Sequence, residues 1–398
     1  MHSLSFFAAL LLFDLPLLVA AGSCLYYLAV AIAALQFRSQ RDKDSGFTPP
    51  ISILKPVRGI EQSFYESLAS HFRQNYPGFE LIFGLRDAND PARWTISQLQ
   101  REFPQVPVKI VTAPESGGAN PHANPHANPH ANPKMNKLQH MLEEASYEVV
   151  VINDADIRVG PDYLRQIVQP LADERLGLVT CLYRGIPVQG LPSRLESLGM
   201  AGDFAGQVLL ARALGPIRFA LGATIATRKK QLAEIGGLAR WADYLADDYI
   251  LGNRIAAAGY RVHLSHTVVD TMLPHRAWRE YFAQQLRWAR TIRACTPRGY
   301  PGLLLSFGVP LALLAAVMRP QSALAVTVLA AALCARFLAA WAAGVRVCGD
   351  RAVGRFFWLL PLRDLVALGV WLAGFWGSHV VWREARFRIE ADGKIRPA

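Results

Sequence analysis

The chain has 398 residues, 52 % of them hydrophobic, with a mean hydropathy of +0.17. That is longer than one ordinary domain and too apolar for an ordinary soluble one. A net charge of +11, from 42 basic and 31 acidic residues, favours an anionic partner such as nucleic acid, a membrane surface or an anionic substrate. No zinc-finger, helix-turn-helix or ribonucleoprotein-type pattern occurs, so nucleic acid is set aside. Cys24, Cys181, Cys295, Cys334 and Cys348 are odd in number and contain no C-x-x-C pair, which excludes a disulfide framework and a zinc site.

The apolar residues gather at the two ends. Residues 15–37 carry no charge and are long enough for a helix across a bilayer core of about 30 Å. No basic segment precedes them, as a cleavable signal would require. Arg38, Arg41 and Lys43 follow at once, which predicts that residue 38 onward lies in the cytoplasm. Phe47-Thr-Pro-Pro50 reads as a linker. Ile51–Leu54, Phe79–Leu85 and Val106–Val111 read as strands, with helical spacing over 61–73 and 92–103 between them. This alternation predicts a doubly wound parallel sheet with right-handed crossovers.

Asn-Pro-His-Ala then repeats three times over 120–131. Each of His122, His126 and His130 is followed two residues on by Asn-Pro, so no helix can gather the imidazoles on one face. The repeat reads as a tandem expansion in a loop. A helix is predicted over 134–146 and a buried strand over 148–153. That strand ends abruptly in Asp154-Ala155-Asp156, before a turn at Gly160-Pro161. Open α/β sheets bind ligands at the carboxyl ends of their strands, and two acids there attract a hard cation. Further strands are expected at Leu176–Tyr183, Phe219–Thr227 and Arg261–Leu264, and helices at 163–172, from Leu245-Ala-Asp-Asp-Tyr249 to about Ala258, and at 276–293.

Beyond Pro301 the chain is apolar again. Residues 302–318 and 321–345 are predicted spans joined near Arg319-Pro320, with Arg336 inside the second. An intramembrane Arg is costly and faces protein or snorkels. Residues 356–382 are apolar but contain Pro361, Arg363 and Asp364, and a basic tail follows. A full span there would put the tail outside, so this stretch reads as interfacial or re-entrant, or the other spans are miscounted. The division expected is an N-terminal transmembrane helix over 1–37, a cytoplasmic domain over 38–300, a membrane region over 301–382 and a basic cytoplasmic tail over 383–398.

Asp87, Asp154 with Asp156, Asp248, and Gln285-x-Arg287-Trp288 stand in an order that resembles processive and lipid-acceptor glycosyltransferases of the family 2 type. The chain is most similar to the ceramide glucosyltransferase family (family 21) and its bacterial hopanoid-associated relatives. Arg86–Ala92, Asn132-Pro-Lys-x-Asn136, Asp156-Ile-Arg-Val-x-Pro-Asp162, Leu245–Tyr249 and Arg287–Arg293 carry the likeness over residues 50 to about 300. The His-containing repeat departs from it.

The resemblance implies a nucleotide-diphospho-sugar transferase (GT-A, Rossmann-like) domain between N- and C-terminal transmembrane helices. It implies a UDP-sugar donor, a lipid acceptor (ceramide or a hopanoid polyol) and Mg²⁺ or Mn²⁺ as cofactor. Asp87, Asp154 and Lys134 would hold the nucleotide sugar, and Asp154 and Asp156 the metal. Asp248 would be the general base of an inverting transfer, with Asp247 beside it at a helix N-terminus. Gln285, Arg287 and Trp288 would meet diphosphate or acceptor. The expected place is a bacterial inner membrane, with the catalytic domain cytoplasmic. The competing readings are a processive polysaccharide synthase, which needs more spans, and a non-catalytic membrane scaffold, against which the intact acidic set argues.

Overall fold

The computed structural model describes residues 13–42, 44–60, 63–113, 132–187, 189–382, 385–390 and 393–397. The Asn-Pro-His-Ala repeat lies outside the described residues. The chain forms two units, one of Met1–Gln40, Pro187–Gly215 and His275–Gly377, the other of Arg41–Ile186, Pro216–Pro274 and Ser378–Ala398.

In chain order the elements are α1 (Leu15–Ser39), β1 (Ile51–Pro56), α2 (Phe64–Phe72), β2 (Phe79–Leu85), α3 (Ala92–Glu102), β3 (Val108–Thr112), α4 (Pro133–Glu144), β4 (Val149–Ile152), β5 (Ile157–Arg158) and α5 (Tyr163–Val168). Next come β6 (Leu176–Pro187), α6 (Leu191–Gly199), α7 (Ala205–Leu214), β7 (Ile225–Arg228), α8 (Lys229–Glu234), α9 (Asp247–Ala257), β8 (Arg261–Leu273) and α10 (Trp278–Cys295). The chain ends with α11 (Gly308–Met318), α12 (Ala323–Ala340), α13 (Arg351–Phe356), α14 (Leu360–Gly374), β9 (His379–Trp382), β10 (Ala385–Ile389) and β11 (Ile395–Pro397).

The sheet unit is built on eight strands in the order β3-β2-β1-β4-β7-β6-β8-β5. β1 lies between β2 and β4, parallel to both, with Ile53 opposite Leu81 on one side and Val151 on the other. Every residue of β1 and β4 is buried, as the continuous apolar runs require of strands covered on both faces. Ile51, Ile53, Leu81, Phe83, Val149 and Val151 pack with Phe64, Leu68 and Phe72 of α2 and Ile96 and Leu99 of α3 in one core. Each such side chain contributes roughly 1.5–3 kcal/mol on burial.

The predicted parallel arrangement holds for β1 to β4, and the sheet is mixed beyond them. β7 runs antiparallel to β4 and to β6, and β5 antiparallel to β8. The chain leaves the sheet through α6 and α7 after β6 and returns at β7, so no βαβ crossover fixes a parallel direction. The predicted strand over 219–227 is shorter. Leu221 pairs back with Thr224 in a tight turn and only Ile225–Arg228 is strand. Conversely β8 runs over Arg261–Leu273, well past the predicted Leu264.

Residues expected as a basic tail are also structured. β9, β10 and β11 form an antiparallel sheet of their own, and β11 joins the sheet unit. Tyr244 bridges Lys394, and Ile395 N donates to Asp243 O at 2.7 Å.

In the other unit α1 packs against α11 and α12. Tyr27 Oη donates to Ser306 O at 2.8 Å and accepts from Gly308 N at 3.1 Å. A Cβ on Gly308 would stand 2.3 Å from that of Ser23, so the close approach of the two segments depends on glycine. Among the described residues four stretches are long and apolar enough to cross a membrane: Leu15–Ser39, Tyr300–Met318, Ala323–Val347 and Arg351–Gly374. Arg336, 2 % exposed, faces protein: its Nε and Nη2 donate to Asp364 Oδ2 and Oδ1 at 2.8 and 2.9 Å. It also pairs with Asp203, which in turn holds Arg363. Asp203 sits on a π-helical turn over Met200–Phe204.

Candidate functional site

The site lies at the carboxyl edge of the parallel strands. β4 ends in Asn153, wholly buried, whose backbone N–H donates to Leu54 O at 3.1 Å. Its side-chain amide donates to Ala223 O at 2.7 Å, to Tyr163 Oη at 2.9 Å and to Thr224 Oγ1 at 3.1 Å. That fixes the strand end against the Leu221–Thr224 turn. Asp154 and Asp156 come next. Lys55, the buried fifth residue of β1, donates to Asp154 O at 3.0 Å, and Met272 N donates to Asp156 O at 3.1 Å. Backbone carbonyls hold this loop.

Lys134 is the hub. Asn132 caps α4, accepting from Lys134 N at 2.9 Å and donating from its amide to Tyr244 O at 3.3 Å. This aims the Lys134 ammonium between two carboxylates, 2.8 Å from Asp154 Oδ1 and 3.0 Å from Asp247 Oδ2. Asp248, the next residue of α9, accepts from Tyr249 N at 2.8 Å. Gly222 lies over the cluster: a Cβ there would stand 3.2 Å from Asp248 Oδ2 and 3.6 Å from Asp154 Oδ2. Gly252 allows α9 to reach this place, since a Cβ on it would fall 2.2 Å from Ala220 N.

Three carboxylates thus share one buried ammonium, and the electrostatics follow. Burial opposes the Lys134 charge, but Asp154 and Asp247 outweigh it and raise its pKa. Burial and the adjacent Asp247 push the Asp248 carboxyl up to about 6, against the lowering pull of Lys134. Burial brings Lys55 down to about 7, with Asp156 and Asp154 acting in the other direction. Its Nζ lies 3.3 Å from His71 Nε2, and burial keeps that imidazole well below its ordinary range.

Asp87 ends β2 on the same edge. It is half-exposed, receives Arg86 Nε at 2.9 Å and accepts from Asn89 N at 2.9 Å; these bonds lower its pKa. Three residues on, the buried Asp90 accepts from Gly59 N and Ala92 N, both at 3.1 Å, and ties the loop after β2 to the loop after β1.

The structure therefore brings Asp154, Lys134 and Asp248 together, with Asp247 as a fourth member, and keeps Asp156 two residues from Asp154 on the same loop. Asp87 stands at the end of the neighbouring strand. Gln285, Arg287 and Trp288 lie on α10 in the other unit, where Arg287 Nε donates to Gln284 Oε1 at 3.3 Å. Asn132 stands in the Asn132-Pro-Lys motif, and its place before Pro133 is a local helix-start signal; Lys55 and Asn153 carry no such signal, since only burial distinguishes them. Among the described residues no three His, Cys, Asp or Glu side chains gather as a metal-binding group. Asp154, 40 % exposed, is the accessible carboxylate of the cluster.

Residues 15–395 match the family model for Glycosyl transferase family 21. Ceramide glucosyltransferase 3 of Caenorhabditis elegans is 26 % identical over 248 residues, 61 % of this chain and 50 % of the relative. Ceramide glucosyltransferase 1 of the same organism is 27 % identical over 221 residues, 54 % of this chain and 44 % of the relative. The aligned part spans about half the length of these curated relatives. Among solved structures, the mannosyltransferase PcManGT from Pyrobaculum calidifontis, in complex with GDP-Man and Mn²⁺, superposes with a TM-score of 0.50 at 19 % identity, covering 91 % of this chain and 99 % of that one. That likeness establishes the fold as GT-A. With a family match running through both units, the chain belongs to glycosyl transferase family 21.

Proposed function

We propose that the chain moves a hexose or N-acetylhexosamine from a UDP-sugar to the hydroxyl of a membrane lipid, inverting the anomeric centre. The observation that carries this reading is the surplus of carboxylate at the strand end. Asp154, Asp247 and Asp248 surround one ammonium, which leaves a site suited to a cation and, through it, a diphosphate.

Asp87 and Asp154, with Lys134, hold the nucleotide sugar. Asp154 and Asp156 hold Mg²⁺ or Mn²⁺. An open carboxylate suits these ions, which keep several waters and complete their shell with substrate phosphate rather than with a protein cage. When bound, the ion neutralises charge on the departing diphosphate. Asp248 takes the proton from the lipid hydroxyl as its oxygen bonds to the anomeric carbon; the bond from that carbon to UDP breaks and UDP leaves. A carboxyl held near pH 6 is charged at neutral pH and more basic than an ordinary aspartate. Gln285, Arg287 and Trp288 keep the diphosphate or acceptor role that the family resemblance implies.

The folded tail supports a cytoplasmic orientation for this unit. β11 belongs to the unit that carries Asp248, so both lie on one side of the bilayer. Residues 38 onward are cytoplasmic by their basic flank. Tyr300–Met318 and Ala323–Val347 cross out and back, and Arg351–Gly374 then lies in or re-enters the cytoplasmic face. Its helix is interrupted at Phe357–Leu359, and it carries Arg363 and Asp364.

Lipid mass spectrometry of cells with and without the protein names sugar and acceptor together. The expected result is a glycolipid that depends on the chain and on Asp248. Identical lipid profiles, with no UDP released from any UDP-sugar by membranes containing the protein, Mn²⁺ and lipid alcohols, would refute the reading.

A further inference from the structure

The C-terminal strands reach the acidic cluster through one loop of the sheet unit. β10 and β11 form a hairpin closed by Glu390 N, which donates to Lys394 O at 2.8 Å, and by Arg396 Nε, 2.7 Å from Glu390 Oε1. Val380, Phe387, Ile389 and Ile395 are buried, so these strands are packed rather than trailing. Ile395 gives its N–H to Asp243 O at 2.7 Å. Lys394 pairs with Tyr244 in a bridge, and its ammonium lies 5.9 Å from the centre of the Tyr244 ring. Asn132 grips the same loop. It is wholly buried, and donates its backbone N–H to Ala242 O and its side-chain amide to Tyr244 O at 3.3 Å. Its side-chain oxygen accepts from Lys134 N at 2.9 Å.

The loop Ala242–Tyr244 therefore leads to the cluster in two directions. Onward in the chain, Leu245 is buried and Asp247 begins α9, with Asp248 next. Through Asn132 the loop also reaches the first turn of α4, and so the Lys134 ammonium that stands 3.0 Å from Asp247 Oδ2. The cation and two of its carboxylates are thus both referred to Ala242–Tyr244, and that loop is referred to β11. A segment outside helix and sheet has no ladder of its own, so the groups that take its carbonyls fix its path. Reacting groups need such fixing, because a displacement of about 1 Å costs up to 10²-fold in rate. No step of the transfer described above gives the C-terminal strands a part.

We propose that the β10–β11 hairpin is a positioning element for the transfer: β11, through Ala242–Tyr244 and Asn132, sets Lys134 against Asp154 and Asp247 and so sets the place of Asp248. This rests on the function proposed above. The test uses the full chain in nanodiscs, with Mn²⁺ and the UDP-sugar and lipid identified from cells. Ile395→Pro removes the N–H that Asp243 accepts. Asn132→Ser keeps a helix cap but loses the amide that reaches Tyr244. Each should lower kcat about tenfold, and the double variant also about tenfold, because both cut one linkage. In hydrogen exchange, Ile395→Pro should speed exchange over 132–144 and 242–249 and leave 51–56 and 79–85 as in wild type. Reciprocally, Asn132→Ser should speed exchange over 393–397. Losses that multiply to about a hundredfold, an unchanged kcat for Ile395→Pro, or exchange that rises equally everywhere or not at all at the distant segment overturns the proposal. Should Ile395→Pro not fold, exchange over 393–397 in Asn132→Ser decides alone. A wild type that transfers no sugar to any lipid refutes instead the function proposed above, and the exchange measurements then decide the linkage.

Discussion

Each unit buries a cluster of aspartates around a cation, and the two clusters differ in charge balance. In the unit that holds the four long apolar helices Arg336 and Arg363 face Asp203 and Asp364, two positive charges against two negative. Every guanidinium there has a carboxylate, and Asp364 receives Arg336 through two parallel bonds. In the sheet unit Lys134 faces Asp154, Asp247 and Asp248. The first cluster is closed: its members satisfy one another, and nothing further is needed to hold them out of water. The second carries negative charge in excess and keeps Asp154 open to solvent, which is the feature the proposed cation site rests on.

The comparison can be broken at several points. Replacing both Asp154 and Asp156 by Asn removes the proposed metal ligands, and glycosyl transfer should fall by about 10³-fold or more, the scale of losing several kcal/mol of charge stabilisation. The check is UDP release with Mn²⁺, alongside retained thermal stability. Arg336→Leu strands Asp203 and Asp364 and should cost about 3–5 kcal/mol, read as a collapse of folded protein in detergent. Arg336→Leu combined with Asp364→Leu and Asp203→Ala should recover much of that loss, because apolar residues can replace a closed cluster.

A subtler change is Lys134→Met, which deepens the imbalance without touching the aspartates. Asp248 must be deprotonated to act, and a carboxyl at about 6 gives a rate that rises with pH through about 6 and is lost below it. Lys134 pulls that value down, so its removal should move the limb to higher pH by about one unit. A kcat/KM profile from pH 5 to 9 reads this directly. Gly252→Ala should have the smallest effect. Its new Cβ would meet Ala220 N at 2.2 Å and push α9 outward, at about 1–3 kcal/mol and a modest loss of turnover. Melting temperature and rate, measured together, separate the two.

Much of this architecture was legible in the sequence where local chemistry is decisive. A β-branched run that stops in Asp-Ala-Asp is a strand end, and Asp247-Asp248 marks a helix start because acids favour that terminus. What was not legible depends on distant partners. The residues expected as a loose tail are strands because β11 finds Asp243 and Tyr244, some 150 positions earlier in the chain. β8 extends to Leu273 because β5 pairs with its far end, through Thr271 and Asp270. Lys55 reads as a strand-ending lysine in sequence, and only the fold buries it under the Asp154 carbonyl. Phe219–Thr227 reads as one strand because its apolar residues hide a turn at Gly222, where the site needs a residue without a side chain.

The central claim is that Asp248, within the unbalanced cluster, performs the transfer. Its most direct test is the rate of glycolipid formation by purified full-length Asp248→Asn and wild type at pH 8, with Mn²⁺ and the UDP-sugar and lipid identified from cells. The account predicts a loss of about 10²–10⁴-fold for the variant, with UDP binding retained and, because a carboxyl raised to about 6 opposes folding once charged, no loss of thermal stability. A variant that forms glycolipid at the wild-type rate would contradict it.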